Sequence, residues 1–521
     1  MNMKKYFLFL SVLLASVTLI GCGDDDDSPS GVNVLLKTQS IDEGAEVDAS
    51  VNSVELAYNM AVKVSARAAI TLNGVTVTAT RDARNATVVR IPLSLEEGTS
   101  YVLNVPAGSI VASSDEASSA SAFILNFTTK GKADNSIAGL VKRLGWGWNL
   151  GNHFDTSSGE DGKHPQWGYW DNATPTQQLY KNLKAAGAST VRMGVTWGNY
   201  QNTETWAIEP AYMAEVKQNV EWAGQAGLNV ILNLHHDEYW LDIKGAATNS
   251  ATNDAIKTRI EATWKQIAEA FNDKGDFLFF ETFNELQDGQ WGWGDNRTDG
   301  GKQYRTLNEW NQLVVNTIRA TGGNNATRWI GVPGYAASPT FVLINDFVLP
   351  TDPANRLMVS VHFYDPSNYT LSPYEENNNS KYKNGGYSEW GHTAAAGKAD
   401  PGSNEDHVKD VFKKLHDKFI AKGVPVYIGE YGCVMHTNER SNLFRNYYLE
   451  YVCRAAHTYN MPLCIWDNNV PGGGNEHHGY FDHSDGTYLN NAESLVKTMI
   501  QAATSDDESY TLESIYAKAP K

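Results

Sequence analysis

The sequence of 521 residues has few cysteines, an excess of acidic over basic side chains, and few long apolar runs. Four cysteines in a chain of this length exclude a dense disulfide framework, and their spacing matches no metal site. The 42 lysines and arginines face 60 aspartates and glutamates, and the resulting net charge of −18 argues against nucleic acid as a partner. After residue 20, no segment approaches the roughly 20 continuous apolar residues of a membrane-spanning helix. Any membrane attachment is therefore expected to use lipid.

The first 21 residues are predicted to be a targeting segment. Lys4 and Lys5 precede an apolar stretch over residues 6–20. The motif Leu19-Ile20-Gly21-Cys22 lies at the end of this stretch. This pattern resembles a bacterial lipoprotein signal and implies that Cys22 becomes the lipidated first residue of the mature chain. The alternative is an ordinary cleaved signal with an incidental cysteine.

An acidic tether over residues 22–30 follows the predicted signal. Residues 24–27 are all aspartate, which resembles the tag of Bacteroidetes-type lipoproteins that reach the outer cell surface. We therefore expect an outer-membrane lipoprotein exposed at the cell surface. The other three cysteines, Cys433, Cys453 and Cys464, lie in apolar surroundings and are expected to be buried thiols with at most one disulfide.

Residues 31–130 are predicted to form a small all-β domain. They are rich in Val, Ala, Thr and Ser, and Asn73-Gly74 between two apolar runs is a strong hairpin signal. Further strands are predicted over residues 88–93, 101–105 and 122–128. The segment resembles a bacterial immunoglobulin-like sandwich. It holds no cluster of carboxylates or histidines, so we expect it to act as a spacer, followed by a linker over residues 131–135.

From residue 136 to residue 505, a pattern of strand, loop and helix repeats eight times. The predicted strands lie near residues 145–150, 190–195, 229–234, 277–283, 329–333, 357–363, 426–428 and 463–466. Eight such units predict an α/β fold of the (β/α)₈ TIM-barrel type. A doubly wound sheet is the alternative, but it does not need eight repeats. Residues 506–521 are predicted to be a C-terminal tail.

Two glutamates, Glu285 and Glu430, each lie at the end of a short apolar run that indicates a buried strand. Barrel enzymes keep their chemistry just beyond the C-terminal ends of the strands. A pair of carboxylates from different strands is the equipment for hydrolysing a glycosidic bond. Glutamate at both positions favours the short carboxyl separation of about 5–5.5 Å that retaining glycosidases use.

Other polar residues also cluster at the predicted strand ends. They include Trp146-Gly147-Trp148-Asn149-Leu150-Gly151-Asn152, Arg192, His235-His236-Asp237, His362-Phe363-Tyr364 and Trp466. A metal site at His235-His236-Asp237 is disfavoured, because adjacent histidines on a strand point to opposite faces. We expect no metal and no cofactor. Glu281 and Glu238 match no catalytic position and are expected to face solvent or to support the site.

The motifs Trp-Asn-Leu-Gly-Asn, Leu-His-His, Phe-Asn-Glu, His-Phe-Tyr and Ile-Gly-Glu occur in the order found in glycoside hydrolase family 5, which residues 136–505 resemble. The resemblance implies that Glu285 is the acid/base and Glu430 the nucleophile. It also implies that Asn284 bonds the sugar 2-hydroxyl and that Arg192 supports the nucleophile. The further substrate contacts that we predict are His235, His362 and Tyr364 at the reacting subsite, Trp466 beneath the sugar, and Asn152 and His236.

Three long loops follow predicted strands and carry aromatic residues among polar ones. Aromatic rings stack against sugars, so we expect these loops to border an extended cleft. The candidates are Trp167, Tyr169, Trp170, Trp291, Trp293, Tyr369, Tyr374, Tyr382, Tyr387 and Trp390.

The leading hypothesis is a monomeric, endo-acting β-1,4-glucanase that cuts β-glucan polysaccharides. The same residues could act instead on xyloglucan, mannan, mixed-linkage glucan or xylan, because loop shape decides the backbone. A catalytically silent glycan-binding lipoprotein is a different class, and it predicts the loss of one catalytic carboxylate.

Overall fold

The structure is a computed structural model that describes residues 33–157, 173–289, 299–371 and 386–521. The predicted signal, Cys22 and the whole of the acidic tether lie outside the described residues. The described residues form three hydrophobic clusters: one within residues 34–127, a large one within the barrel that follows, and a small one at the end of that barrel. No described helix is both long enough and apolar enough to cross a membrane.

The N-terminal region is a β domain of short strands. Its strands are β1 (Leu36–Gln39), β2 (Glu46–Val47), β3 (Ser53–Tyr58), β4 (Val62–Val64), β5 (Thr71–Leu72), β6 (Val75–Thr76), β7 (Thr80–Arg81), β8 (Val88–Pro92), β9 (Ser100–Val105), β10 (Ile110–Ala112) and β11 (Phe123–Thr129). They form one sheet in the order β1-β3-β8-β7, a second in the order β2-β11-β9-β5-β6, and a two-stranded ribbon of β10 and β4. Alternate residues of β9 and β11 are buried, as expected for strands with one face on a core.

The hairpin predicted at Asn73-Gly74 is confirmed. Thr71 pairs with Thr76 and Leu72 with Val75, which leaves a two-residue loop. Both loop residues have positive φ, 47° for Asn73 and 80° for Gly74. A two-residue turn of this kind requires left-handed backbone at both positions, which asparagine and glycine adopt most easily.

The second unit is a closed barrel of eight parallel strands. The strands are β12 (Trp146–Asn149), β13 (Thr190–Met193), β14 (Asn229–Asn233), β15 (Leu278–Glu281), β16 (Ile330–Pro333), β17 (Leu357–Phe363), β18 (Val426–Tyr431) and β19 (Leu463–Ile465), and they neighbour one another in chain order. All eight predicted strands are therefore confirmed, and the doubly wound alternative is excluded. Every residue of β17 is buried, which is why such strands read as continuous apolar runs in the sequence.

Helices surround this barrel. They are α1 (Ile137–Leu144), α2 (Gln177–Ala186), α3 (Pro210–Gln225), α4 (Ile243–Thr248), α5 (Ser250–Ala270), α6 (Lys302–Ala320), α7 (Pro339–Leu343), α8 (Ser367–Thr370), α9 (Glu405–Lys418), α10 (Glu439–Thr458), α11 (Glu493–Thr504) and α12 (Leu512–Tyr516). Helix α1 precedes the first barrel strand, and its Leu140 and Leu144 join a cluster with Ile231, Phe279 and Trp329. The cluster closes the N-terminal end of the barrel.

Two regions differ from expectation within the described residues. The segment predicted as a C-terminal tail carries α12, and its Leu512 and Ile515 are buried in the barrel core. Tyr369 and Trp390, predicted to border the cleft, are fully buried instead. Trp390 packs against Tyr448 with ring centroids 5.0 Å apart, because the loop folds back onto α10.

The β domain docks against the N-terminal end of the barrel. The Ser50 hydroxyl accepts a hydrogen bond of 2.6 Å from the Gly275 amide, and Lys130 donates to the Gly227 carbonyl at 3.3 Å. Gly227 and Gly275 precede β14 and β15. The domain therefore covers the end of the barrel opposite the strand ends that carry Glu285 and Glu430.

Arg328, just before β16, ties down the loop that leads into β15. Its side chain is 3% exposed, and its guanidinium donates to the Asn325 side chain and to four main-chain carbonyls, those of Phe271, Lys274, Gly275 and Leu278. Buried carbonyls without a donor cost about 1–3 kcal/mol each before relaxation.

We predict that Arg328→Leu lowers the free energy of unfolding by about 3 kcal/mol or more, because the four buried carbonyls lose the donors that Arg328 supplies, although those of Phe271 and Gly275 keep the Lys274 and Leu278 amides. Arg305→Leu is the control, since the Arg305 side chain is 57% exposed and should change stability by less than about 0.5 kcal/mol. Urea unfolding followed by tryptophan fluorescence measures both. Equal stability of the two variants would contradict the assignment.

Candidate active site

A cavity of about 550 Å³ opens at the C-terminal end of the barrel. Eight of the predicted site residues line it: His235, His236, Asn284, Glu285, His362, Tyr364, Glu430 and Trp466. Ala336, Ser338 and Pro339 form part of one wall, and Asp365, Ser367 and Leu371 form part of another. The strand ends thus bring together residues as far apart in the sequence as His235 and Trp466.

Glu285 and Glu430 face each other across the floor of the cavity. A carboxylate oxygen of Glu285 lies within 4.8 Å of one from Glu430. The Nδ1 atom of His362 lies between them, 2.5 Å from Glu285 Oε1 and 3.5 Å from Glu430 Oε2. Carboxylate oxygens this close agree with the short separation expected of a retaining site, in which no water molecule fits between the sugar and the second carboxylate.

Arg192, at the centre of β13, is completely buried beneath the cavity. Its Nη1 donates to Glu430 Oε1 at 2.7 Å, and its Nη2 donates to Asn284 Oδ1 at 2.7 Å. The Asn284 carbonyl is held by this contact, so its amide nitrogen is the donor that remains for a ligand in the cavity. The second oxygen of Glu430 accepts a hydrogen bond of 3.1 Å from the Tyr364 hydroxyl.

The same arginine contacts Glu281, which we had expected to face solvent or to support the site. Glu281 is 0% exposed, and its Oε1 accepts from Arg192 Nη2 at 2.6 Å. Burial alone would raise the pKa of Glu281, but the charge and hydrogen bonds of Arg192 outweigh it and lower that pKa. Glu281 is therefore an ionised residue of the barrel interior, and solvent exposure is excluded.

The neutral form of His235 can be assigned from its neighbours. Asn233 Oδ1 accepts from the Val195 amide at 3.1 Å, so its Nδ2 donates to His235 Nδ1 at 3.1 Å. The ring proton is then on Nε2, which faces Glu430 Oε1 at 3.9 Å. Burial lowers the pKa of His235 well below its usual range, and it lowers the pKa of His362 to about 4. Both rings are uncharged near neutral pH.

His235 and His236 do not point to opposite faces of a strand, contrary to the expectation stated for His235-His236-Asp237. Both histidines lie beyond the end of β14, where strand alternation no longer applies, and their rings are 4.5 Å apart. Asp237 is directed elsewhere, since it accepts from the Trp197 and Gly198 amides.

Asp155 takes the place of Asp237 beside the two histidines, and the potential ligand atoms of the three residues lie within 4.8 Å of one another. The carboxylate of Asp155 already accepts from the amides of Asn152 and His153, at 3.0 and 2.7 Å. Glu285, His362 and Glu430 form a second such set, which is the carboxylate pair itself.

Asn152 does not line the cavity among the described residues, contrary to prediction. It occupies a turn with φ of 58°, a conformation that asparagine tolerates. The sequence motif instead contributes Asn149, which the prediction missed. Asn149 Oδ1 accepts from Arg192 Nη1 at 3.0 Å, and its Nδ2 donates to the Gly429 carbonyl at 2.9 Å. Its place as the last residue of β12 was the available signal.

Two glycines of the motifs leave space for site residues. A Cβ on Gly151 would lie 2.8 Å from the indole of Trp466, and one on Gly429 would lie 3.1 Å from His362 Nε2. Trp466 is half-buried and nearly parallel to the His235 ring, with an interplanar angle of 11°. The glycines therefore allow these rings to reach the cavity floor.

The predicted aromatic border of the cleft lies mostly outside the described residues. Trp167, Tyr169, Trp170, Trp291, Trp293, Tyr374 and Tyr382 are the residues concerned. Tyr387 is described, and it is partly buried against the barrel core.

An eight-stranded barrel with two closely spaced carboxylates over its C-terminal end defines a class of protein, the barrel glycoside hydrolases. Residues 151–472 match the cellulase family, glycosyl hydrolase family 5. The chain belongs to this family, which is a family of retaining hydrolases, and the protein is a glycoside hydrolase.

Relatives of known activity and structure agree with this assignment. Endoglucanase A of Paenibacillus barcinonensis is 31% identical over 385 residues, which cover 69% of this chain and 90% of that protein. A Bacteroidetes-affiliated family 5 cellulase linked with a polysaccharide utilization locus is 39% identical, with a TM-score of 0.68 over 75% of this chain and 99% of that one. A broad specificity endoglucanase from Bacteroides salanitronis is 45% identical, with a TM-score of 0.66 over 71% and 96%.

Proposed function

We propose that the protein is an endo-β-1,4-glucanase that cleaves internal bonds of cellulose-like glucans by double displacement, with Glu430 as nucleophile and Glu285 as acid/base. The observation that carries the proposal is the pair of carboxylates within 4.8 Å of each other, one of which is held by Arg192 and Tyr364. A silent glycan-binding protein would have no use for this arrangement.

In the first step, a Glu430 oxygen attacks the anomeric carbon and the bond to the leaving sugar breaks. Glu285 donates its proton to the departing glycosidic oxygen, so the leaving group departs as a neutral alcohol. Arg192 and Tyr364 hold the Glu430 carboxylate in position for attack. Burial raises the pKa of Tyr364 well above its usual value, so its hydroxyl remains a donor.

In the second step, Glu285 removes a proton from water, and the water oxygen attacks the anomeric carbon. The bond to Glu430 breaks, and its electron pair returns to the carboxylate. His362 can keep its contact with Glu285 through both steps. Its Nδ1 accepts from Glu285 when that residue is protonated and donates to it, in the other tautomer, when it is ionised. Two inversions leave the product with the β configuration.

A β-1,4-glucan is the backbone that the relatives favour. Of the three similar proteins described above, two are named endoglucanases and one is named a cellulase. Apart from its carboxylates and His236, the described lining of the cavity is uncharged, as a neutral polymer requires. Because one relative is described as a broad specificity endoglucanase, the other backbones named above are the next candidates.

Release of reducing ends from a panel of polysaccharides tests this proposal. We expect the highest rate on a soluble cellulose derivative, with a fall in viscosity well ahead of the release of reducing ends, because internal cleavage shortens chains quickly. Xyloglucan, mixed-linkage glucan, mannan and xylan complete the panel. Turnover of mannan or xylan without turnover of any glucan would overturn the substrate assignment.

We predict that Glu430→Gln lowers turnover by about 10³-fold or more, because no other group can form the glycosyl–enzyme intermediate. Glu285→Gln should fail similarly on polysaccharide. It should still release dinitrophenolate from a dinitrophenyl cellobioside, whose leaving group needs no proton. Stopped-flow absorbance measures that release.

Glu204→Gln is the control for both glutamate variants, since Glu204 is an exposed carboxylate on the loop after β13 and should keep its rate within a few-fold. Near-normal activity of Glu430→Gln on polysaccharide would mean that Glu430 is not the nucleophile.

We further propose that the protein is a surface lipoprotein anchored through Cys22, and that the β domain is an immunoglobulin-like spacer. The docking of this domain on the closed end of the barrel supports that role, since the cavity then faces away from the domain. A single acyl chain binds membranes only marginally, whereas the multiple chains of a mature lipoprotein anchor it stably.

We predict that Cys22→Ala moves the activity from the membrane fraction to the soluble fraction of expressing cells without changing kcat. Cys433→Ala is the matched control, because Cys433 is buried in the barrel and should leave the partition unchanged. Activity assays on the separated fractions give the answer. Membrane activity that is the same in Cys22→Ala cells would refute the anchor.

A further inference from the structure

Glu281 is the most heavily hydrogen-bonded carboxylate near the nucleophile, yet it does not line the cavity among the described residues. Its Oε1 accepts from Arg192 and from Asn233 Nδ2 at 2.8 Å. Its Oε2 accepts from the Ser360 hydroxyl at 2.8 Å and from the Tyr427 hydroxyl. Four residues from four different strands thus converge on a side chain that substrate does not reach.

The guanidinium of Arg192 divides its five N–H groups in an unequal way. Nε and one N–H of Nη2 donate to Glu281, the other N–H of Nη2 donates to Asn284, and Nη1 serves Asn149 and Glu430. The planar two-nitrogen edge that best fits a carboxylate is therefore used on Glu281. Glu430 receives a single hydrogen bond from the same ion.

Few charged groups besides Arg192, Glu281 and Glu430 face the hydrogen-bond cluster around Glu281. The titratable neighbours on the surrounding strands and loops are His235, His362, Tyr364, Tyr427, Cys464 and Glu285. Burial keeps both histidines unprotonated, keeps both tyrosines protonated and raises the pKa of Cys464 to about 12. With Glu285 protonated for catalysis, the charges that remain on these residues are Arg192, Glu281 and Glu430. His236, whose ring lies beside that of His235, adds a positive charge, because Glu238 and Asp155 outweigh the effect of burial and raise its pKa to about 9; this charge is present in every variant below.

We propose that Glu281 is a positioning residue that sets the charge of the nucleophile's surroundings: it neutralises Arg192 and occupies its bidentate edge, so that Glu430 stays reactive. This inference rests on the proposed function. Without Glu281, Arg192 would present an uncompensated charge to Glu430 and could pair with it through two nitrogens. A carboxylate stabilised in that way is harder to protonate and is also a weaker nucleophile.

The step affected is the formation of the glycosyl–enzyme. A Glu430 oxygen forms a bond to the anomeric carbon while the bond from that carbon to the leaving oxygen breaks, and the electron pair departs with the leaving group. Charge moves from Glu430 to the leaving oxygen, so excess positive charge beside Glu430 stabilises the starting state more than the transition state.

Glu281→Gln tests the proposal, because the amide has nearly the same shape and the Ser360 and Tyr427 hydroxyls can rotate to accept from it. Dinitrophenyl β-cellobioside is the substrate, since its leaving group needs no proton from Glu285. We expect the acid limb of the kcat/KM profile to move to lower pH by about one unit. The plateau should fall by about tenfold or more, while the inhibition constant of cellobiose stays within a few-fold.

Ser360→Ala is the matched control, because it removes a hydrogen bond from the same carboxylate without removing charge. It should leave the acid limb at the wild-type pH. If Glu281 were only structural, both variants would lose melting temperature and active fraction, and neither limb would move. An unmoved limb in folded Glu281→Gln overturns the inference.

A second comparison covers the case in which Glu281→Gln fails to fold. Glu281→Asp and Glu281→Asn have side chains of the same length, keep Arg192 and differ in the charge that faces it. The acid limb of Glu281→Asn should lie about one pH unit below that of Glu281→Asp, and coincidence of the two limbs would overturn the inference.

The proposed function is tested separately by the wild-type enzyme. If that enzyme fails to cleave the cellobioside, the function is wrong, whereas the inference about Glu281 fails only when the wild type is active and the limbs do not move.

Discussion

The active site depends on one buried ion, Arg192. Removing a guanidinium from water costs several kcal/mol unless its charge is matched and its donors are satisfied. Glu281 and Glu430 match the charge, and Asn149 and Asn284 accept the remaining N–H groups. The residues that would touch substrate are therefore placed by contacts below the cavity floor. The same cation, Arg192, holds both Glu430 and Asn284, so the positions of these two side chains relative to each other are fixed.

The molecule separates what holds the barrel together from what acts on substrate. Helix α1 and the β domain close the N-terminal end, and Arg328 pins the loop that leads into β15. Helix α1 makes apolar contacts, whereas the β domain also pairs charged side chains with the barrel, such as Asp42 with Lys181. The C-terminal end is left open for loops and charged groups, which can differ in sequence without disturbing the core. Strand β15 carries Glu281 and, just beyond its end, Glu285. The contacts that hold the N-terminal end of β15 in place therefore also affect the positions of these two active-site glutamates.

The strands were predictable because a parallel strand buried on both faces leaves a continuous apolar run in the sequence, as residues 357–363 show. The hairpin at Asn73-Gly74 was predictable because its conformation is local. Glu285 and Glu430 were predictable because a barrel places its chemistry at strand ends. The role of Glu281 was left open between solvent exposure and support of the site, and Asn149 was not singled out, since the partners of both residues come from other strands and only their positions at strand ends pointed to the site.

By itself, the sequence determined the eight-unit barrel, the family and the residues at the strand ends, because these follow from local periodicity and short motifs. Only the tertiary structure decided which of the polar residues meet. It buried Tyr369 and Trp390, turned Asp237 away from the histidines and brought Asp155 beside them. It also placed Glu281 against Arg192. Charge pairing inside a barrel is set by distances between strands that are far apart in the chain, and those distances exist only after the barrel has closed.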